Sequence, residues 1–197
     1  MNSCDPVTLD FYAREAETYA SRSSGSKAGR LDDFLALLPQ RAKILELGCG
    51  GGHDSYRMLS RGYDVTTTDG SPEMARHAET LLQRPVAVLA FDQLCETRMY
   101  DGVWANACLL HTPRPELSGV ISRIHDALKP GGIFYASFKA GTAEGRDGLD
   151  RYYNYPSPDW LLAQYAPCGW ERVDLEEASG GGYDELETVW LHLTAMR

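Results

Sequence analysis

The residues best placed to do chemistry fall into two groups. The first is the run Glu46-Leu47-Gly48-Cys49-Gly50-Gly51-Gly52, answered further on by Asp69. Glycines at such spacing let backbone approach a ligand closely and adopt positive φ. A helix starting behind them presents free N–H groups. Asp69 stands 21 positions after Gly48, the spacing at which a carboxylate reaches both hydroxyls of a ribose. The second group is looser. His111 lies in Leu109-Leu110-His111-Thr112-Pro113-Arg114, Tyr12 and Tyr19 lie near the N-terminus, and Lys139, Arg151 and Tyr152 come later. A histidine beside a ligand crevice deprotonates or orients an acceptor. Equally, it hydrogen-bonds backbone and braces its own loop. Two cations and three tyrosines after Phe138 suit an anionic or aromatic small molecule, or an ordinary crossover to the next helix.

The elements that must position these residues alternate regularly. Lys43–Leu47 is a short apolar run ending in glycines and predicts a buried strand, followed by a helix over His53–Ser60. Asp64–Thr68 is β-branched and predicts the second strand. Ser71-Pro72 supplies a cap and a first-turn proline for a helix reaching Leu82. Val86–Ala90 and Gly102–Asn106 predict the third and fourth strands. Leu117, Val120, Ile121, Ile124, Ala127 and Leu128 share one helical face, and Lys129-Pro130-Gly131-Gly132 stops that helix. Ile133–Phe138 predicts the fifth strand. Such alternation implies a parallel sheet with helices on both faces, and ligands beyond the strands' carboxyl ends. Ser21–Gly29, Gly141–Gly148 and Ser179–Gly182 are expected to be loops. Tyr12, Ala16 and Tyr19 fall at helical spacing within Leu9–Ala20, as a lid over the site or as packing on the sheet edge. A further helix is expected near Ser157-Pro158.

Composition narrows the partners. The chain has 197 residues, 43% of them hydrophobic, and a net charge of −9. It is long enough for one sizeable domain. An acidic chain with no Lys/Arg cluster is a poor match for phosphate backbones. No stretch approaches the roughly 20 apolar residues that span a bilayer, and the first residues lack a signal-peptide core. Five cysteines with no C-x-x-C spacing point to reduced thiols, a cytoplasmic setting and no metal.

Two kinds of nucleoside cofactor suit the glycine run. A dinucleotide wants G-x-G-x-x-G, but the third glycine would fall at 53, which is His53. The pattern present is E-x-G-x-G-x-G. With it come Val65-Thr66-Thr67-Thr68-Asp69-Gly70-Ser71-Pro72-Glu73-Met74, then Phe91-Asp92 with Tyr100-Asp101-Gly102-Val103-Trp104-Ala105-Asn106, then Leu128-Lys129-Pro130-Gly131-Gly132. In these four motifs the sequence resembles the class I S-adenosylmethionine-dependent methyltransferases, in their compact bacterial small-molecule branch.

The resemblance implies an α/β, Rossmann-like three-layer sandwich whose seven-stranded, mostly parallel sheet has an antiparallel last strand. Trp170–Glu176 and Leu186–Leu193 would be strands six and seven. It implies a single domain over 1–197, with 1–30 as a helical lid. S-adenosylmethionine would lie against Gly48, Cys49, Gly50 and Gly52, with Glu46 nearby. Asp69 would hold the ribose. Gly70, Ser71 and Met74 would pack around the adenine, Asp92 would meet its amino group, and Gln93 would offer its backbone N–H to the ring. Asn106 would lie beside the transferring methyl. His111 and Tyr12 are the candidate catalytic residues; Tyr19, Lys139, Arg151 and Tyr152 are the candidate acceptor residues. Asn106-Ala107-Cys108-Leu109 departs from the Asn/Asp-Pro-Pro-aromatic pattern of relatives that methylate nucleobases. The reading is methyl transfer to a small molecule by in-line displacement, in a monomer or homodimer. The alternatives are a protein or RNA acceptor, or a non-catalytic S-adenosylmethionine binder.

Overall fold

The computed structural model describes residues 3–22, 28–183 and 187–197. Three helices come first: α1 (Pro6–Arg14), α2 (Ala16–Arg22) and α3 (Ala28–Ala36). Then follow β1 (Lys43–Glu46), α4 (His53–Ser60), β2 (Asp64–Asp69), α5 (Pro72–Leu82), β3 (Ala87–Val88), β4 (Tyr100–Ala105), α6 (Arg114–Ala127) and β5 (Leu128–Lys139). The chain continues with β6 (Gly145–Arg146), β7 (Tyr152–Tyr153), α7 (Pro158–Tyr165), β8 (Arg172–Gly181) and β9 (Glu187–Met196). Seven strands form one sheet in the order β3-β2-β1-β4-β5-β9-β8. Strands β1 to β5 pair in parallel, and β9 runs antiparallel to both β5 and β8.

Local sequence explains the helix starts. The Ser71 hydroxyl accepts from the Met74 N–H at 3.3 Å and Pro72 opens α5; Ser157 and Pro158 do the same for α7. The expected stripe of α6 is buried against the sheet, and each such side chain contributes roughly 1.5–3 kcal/mol relative to exposure. The opposite face is sealed by α3 and α4. There Trp104 is fully buried, stacks on Tyr135 at 4.1 Å and donates its indole N–H to Asp54 at 3.0 Å. That bond ties α4, and the glycine turn before it, to the middle of the sheet.

Several expectations needed correction. The N-terminal helix breaks at Glu15 into α1 and α2, and α3, not anticipated, spans the boundary set at residue 30. Strand β3 has only two residues. Lys129–Gly132 does not follow the helix as a loop but lies within β5: between its pairings with Tyr100 and Gly102, β5 advances five residues while β4 advances two. The C-terminal Arg197 holds that excess, accepting from the Gly131 N–H and donating to the Gly132 carbonyl. Gly141–Gly148 is not wholly a loop, because Gly145–Arg146 pairs with Tyr152–Tyr153 as a hairpin. Ser179–Gly181 continues β8 rather than turning. Trp170, expected to open strand six, precedes β8 and packs edge-on against His125 at 4.8 Å. Leu186 lies outside the described residues.

Candidate active site

At the carboxyl edge of β1 the chain turns under Asp69. Asp69 Oδ2 accepts from the Gly50 N–H at 2.9 Å and Oδ1 from the Ser71 N–H at 2.9 Å, so one carboxylate laces the ends of β1 and β2 together. Burial pushes the Asp69 pKa up to about 6, against hydrogen bonds from Ser71, Gly50 and Gly70. Gly48 has φ +62°, and a Cβ built on it would sit 2.4 Å from Cys108 Cβ. Only glycine permits that approach. Gly52 answers a different need: its φ is +82° and a Cβ built on it would sit 3.1 Å from Ala78 Cβ, so its bare backbone lets α4 meet α5 closely.

Above the turn lies a partly open cavity. Gly48, Gly50, Asp69, Gly70 and Met74 form its floor, and Phe91, Ala107, Cys108 and His111 one side. Leu9 and Tyr12 of α1 and Tyr19 of α2 close the roof. The structure thus brings together Tyr12, Tyr19, His111 and five of the expected nucleoside residues. No lysine or arginine among the described residues lines this space.

His111 is 9% exposed and held at both ring nitrogens. Nδ1 lies 2.6 Å from the Tyr152 carbonyl and Nε2 lies 2.9 Å from the Tyr12 hydroxyl. A carbonyl only accepts, so Nδ1 carries the hydrogen. In the neutral ring Nε2 is then an acceptor and Tyr12 donates to it. Burial, reinforced by the charges of Arg151 and Lys139, pushes the His111 pKa down to about 4. The ring is neutral at physiological pH. The ring braces a backbone carbonyl through Nδ1 and meets the cavity wall through the Tyr12 hydroxyl on Nε2.

Other expected residues stand elsewhere. Glu46 is buried behind β1 and accepts from Ser55, its pKa pushed well above the carboxylate range by burial and by Asp54. The Cys49 side chain packs with Ala75 and Ala78, away from the cavity. Ser71 is spent as the α5 cap. The Gln93 N–H donates to the Ala90 carbonyl at 2.9 Å, so it is not offered to a ring. Asp92 is engaged by Ser3, whose hydroxyl donates to Oδ1 at 3.0 Å and accepts from the Asp92 N–H at 2.9 Å. Asn106 bonds Ser137 at 2.8 Å and lines a separate hollow with Tyr135 and His192. Lys139 is 5% exposed with its ammonium over the Tyr153 ring. Arg151 is 1% exposed and paired with Asp147 at 2.6 Å. The Tyr152 hydroxyl donates to Glu144 at 2.5 Å. The three last residues do not form an anion-binding wall. Their charge and spacing suggested one because sequence does not show Asp147 turning inward to Arg151 or Glu144 meeting the Tyr152 hydroxyl at the surface. Ser3 and Leu9 were missed at the site for a similar reason: neither residue type carries a chemical signal.

Comparison with known proteins agrees with this geometry. Residues 44–132 match the methyltransferase domain family. The ubiquinone biosynthesis O-methyltransferase of Actinobacillus pleuropneumoniae is 30% identical over 156 residues, 70% of this chain and 66% of that protein. An uncharacterized methyltransferase of Synechocystis is 33% identical over 102 residues, 51% of this chain and 48% of that one. The chain therefore spans less than two thirds of these relatives. Among solved structures, the Burkholderia thailandensis 1,6-didemethyltoxoflavin-N1-methyltransferase superposes with a TM-score of 0.78 at 21% identity, covering 97% of this chain and 87% of that one. The E-x-G-x-G-x-G turn, the Asp69 brace, the sheet order and these matches make the chain similar to the class I S-adenosylmethionine-dependent methyltransferases, with the family match running over residues 44–132.

Proposed function

We propose that this protein transfers a methyl group to a hydroxyl or ring N–H of a small, neutral aromatic molecule. The observation that carries the reading is the Tyr12–His111 pair standing in the cavity whose floor is the glycine turn and Asp69. The floor fits the cofactor. Gly48 leaves bare backbone where any Cβ would collide, and the Asp69 carboxylate keeps acceptor capacity beyond its backbone bonds. Gly48 and Gly50 would hold the methionine portion, Asp69 the ribose, and Gly70 and Met74 the adenine. Asp92 meets the adenine amino group once Ser3 gives way.

S-adenosylmethionine supplies an electrophilic methyl when bound. The protein's own work is alignment and one proton. Alignment of two reactants in a closed site supplies most of the acceleration in such displacements. The acceptor's O–H or N–H donates to the Tyr12 oxygen, while Tyr12 donates to His111 Nε2. As the acceptor gains the methyl and S-adenosylhomocysteine leaves, the acceptor's proton would pass to Tyr12 and the tyrosine's own proton to Nε2. The Tyr152 carbonyl keeps the ring in the tautomer able to take it. The aromatic roof and the lack of a cation in the wall favour a flat, uncharged acceptor. That agrees with the ring systems named for the ubiquinone-pathway and toxoflavin methyltransferases.

The test is S-adenosylhomocysteine release with catechol and lumazine as probe acceptors, beside calorimetry of S-adenosylhomocysteine binding. His111→Asn and Tyr12→Phe are expected to lower turnover at least tenfold while changing S-adenosylhomocysteine affinity less than twofold. Full turnover by His111→Asn refutes the base. Binding of S-adenosylhomocysteine without turnover of either probe favours a different acceptor class, a protein acceptor included.

A further inference from the structure

Arg151 is the most deeply buried cation of the hairpin beside the site, and four rings surround it, two from α1, one from β7 and one just beyond β8. Its guanidinium lies 5.1 Å from the centre of Phe11, 6.0 Å from Tyr12, 5.4 Å from Tyr153 and 5.4 Å from Tyr183. From behind, Asp147 takes Nε at 3.0 Å and Nη2 at 2.6 Å on a single oxygen. Nη1 remains, and it points to the Tyr12 hydroxyl at 3.3 Å. A buried arginine engaged by a carboxylate on one edge has little orientational freedom.

Resting on the reading of Tyr12 and His111 given above, we propose that Arg151 is the positioning residue of that pair: it donates to the Tyr12 oxygen and so turns the tyrosine's proton onto His111 Nε2. A phenolic oxygen has one hydrogen and two lone pairs. With one lone pair taken by Nη1, the hydrogen has its acceptor at Nε2, and the remaining lone pair lies on the side of Tyr19, which lines the cavity with it. The hairpin therefore controls both ends of the relay. Arg151 and Asp147 set the tyrosine, and the carbonyl of the adjacent Tyr152 sets the histidine tautomer.

The charge of Arg151 acts on the pair as well. The groups facing His111 are Tyr12 from α1, Lys139 from β5, and Asp147, Arg151 and Tyr153 from the hairpin. Arg151 and Lys139 disfavour the imidazolium and Asp147 favours it. A nearby cation also favours a phenolate character on Tyr12. Removing Arg151 should let His111 protonate at higher pH and loosen the Tyr12 hydrogen bond.

Imidazole ¹⁵N spectra of the S-adenosylhomocysteine-bound protein test this without any acceptor. His111 is assigned by its loss in His111→Asn. In the wild type its Nδ1 should be the protonated nitrogen and Nε2 the hydrogen-bonded one at neutral pH. Arg151→Met should shift the Nε2 resonance at neutral pH and raise the titration midpoint by about one pH unit. Arg151→Lys should restore most of both. In the Tyr12→Phe background, Arg151→Met should leave the Nε2 resonance unmoved, because the bond it governs is gone. Should Arg151→Met fail to fold with Asp147 stranded, Arg151→Met with Asp147→Leu removes both partners, and the Nε2 shift is read there. An unmoved Nε2 resonance in Arg151→Met or its paired variant overturns the proposal, as does an equal shift with and without the Tyr12 hydroxyl. Turnover of the probe acceptors separates the two levels. If His111→Asn turns over normally, the base and the positioning role fall together. If His111→Asn is inactive while Arg151 and Tyr12 act independently, only the positioning role falls.

Discussion

Asp69 offers the sharpest test of the nucleoside floor, because stability and binding pull on it in opposite directions. Its carboxyl is 9% exposed, accepts from Gly50 and Ser71, and titrates near 6 instead of 3.8. That displacement corresponds to about 3 kcal/mol in favour of the protonated form, at 1.36 kcal/mol per decade. The folded-state pKa is raised, so this group's contribution to stability is largest below about 4 and is lost as pH rises through about 6. Asp69→Asn removes the charge and with it that loss. It also sets an amide NH₂ against one of the two backbone N–H groups, leaving a buried donor unmet at roughly 1–3 kcal/mol. The two terms nearly cancel, so the melting temperature of the ligand-free variant near pH 7.5 should stay within a few degrees of wild type. Cofactor affinity should not. Two ribose hydroxyls that donate to a carboxylate lose charge-assisted bonds of about 1.5–3 kcal/mol each, a loss of at least tenfold in binding. In the wild type the same chemistry appears as pH dependence. Ribose donors stabilise the ionised form, so S-adenosylhomocysteine affinity should be full above about pH 7 and roughly tenfold weaker near pH 5. Calorimetry at four pH values on both proteins measures this. A wild-type affinity flat from pH 5 to 8, or an Asp69→Asn affinity within twofold of wild type, refutes the placement of Asp69 at the ribose.

Three further outcomes follow from the same geometry. Gly48→Ala and Gly50→Ala pay similar backbone strain of about 1–2 kcal/mol for a left-handed residue, but only at Gly48 does the new Cβ meet Cys108 Cβ, at 2.4 Å. Gly48→Ala should melt lower and lose more cofactor affinity, and Cys108→Gly should recover part of the loss; equal melting of the two alanine variants defeats the clash argument. Arg146→Ala severs the two bonds from Arg146 to Asp5, the cap of α1. Hydrogen exchange in Pro6–Arg14 should quicken while the melting temperature stays close to wild type, since an exposed pair contributes little; unchanged exchange shows the hairpin does not clamp α1. Trp104→Phe keeps most of the stacking on Tyr135 but strips the Asp54 partner, so it should cost about 1–3 kcal/mol by denaturant unfolding, and a neutral result removes the link between the core and α4.

The sheet was legible in the sequence because its signals are local. A β-branched run, a Ser-Pro cap and an apolar stripe each decide their own element, and β1, β2, α5 and α6 fall close to where their residues put them. Asp69 was legible for the same reason, since two strand ends and a short turn fix its distance from Gly48. The acceptor side was not legible. Lys139, Arg151 and Tyr152 were read by type, and type does not reveal a partner. Arg151 meets Asp147 only because Gly145–Arg146 folds back on Tyr152–Tyr153, and no two-residue strand announces itself by periodicity.

That difference bears on how the site works. The floor is built from residues whose positions the sheet dictates, so it is rigid before any ligand arrives. The roof consists of α1 and α2, joined to the body by side-chain pairs: Asp5 with Arg146, the Thr8 hydroxyl accepting from the Tyr152 N–H at 2.8 Å, Tyr12 with His111, and Ser3 with Asp92. Three of these four ties end on the hairpin or on the histidine it braces; the fourth ends where the adenine would lie. A cofactor that displaces Ser3 from Asp92 removes the tie on the nucleoside side and leaves those on the acceptor side standing. On the proposed function, cofactor binding and proton transfer would fall at opposite ends of this roof, so that Ser3 could give way to a nucleoside while Tyr12 and His111 stay aligned.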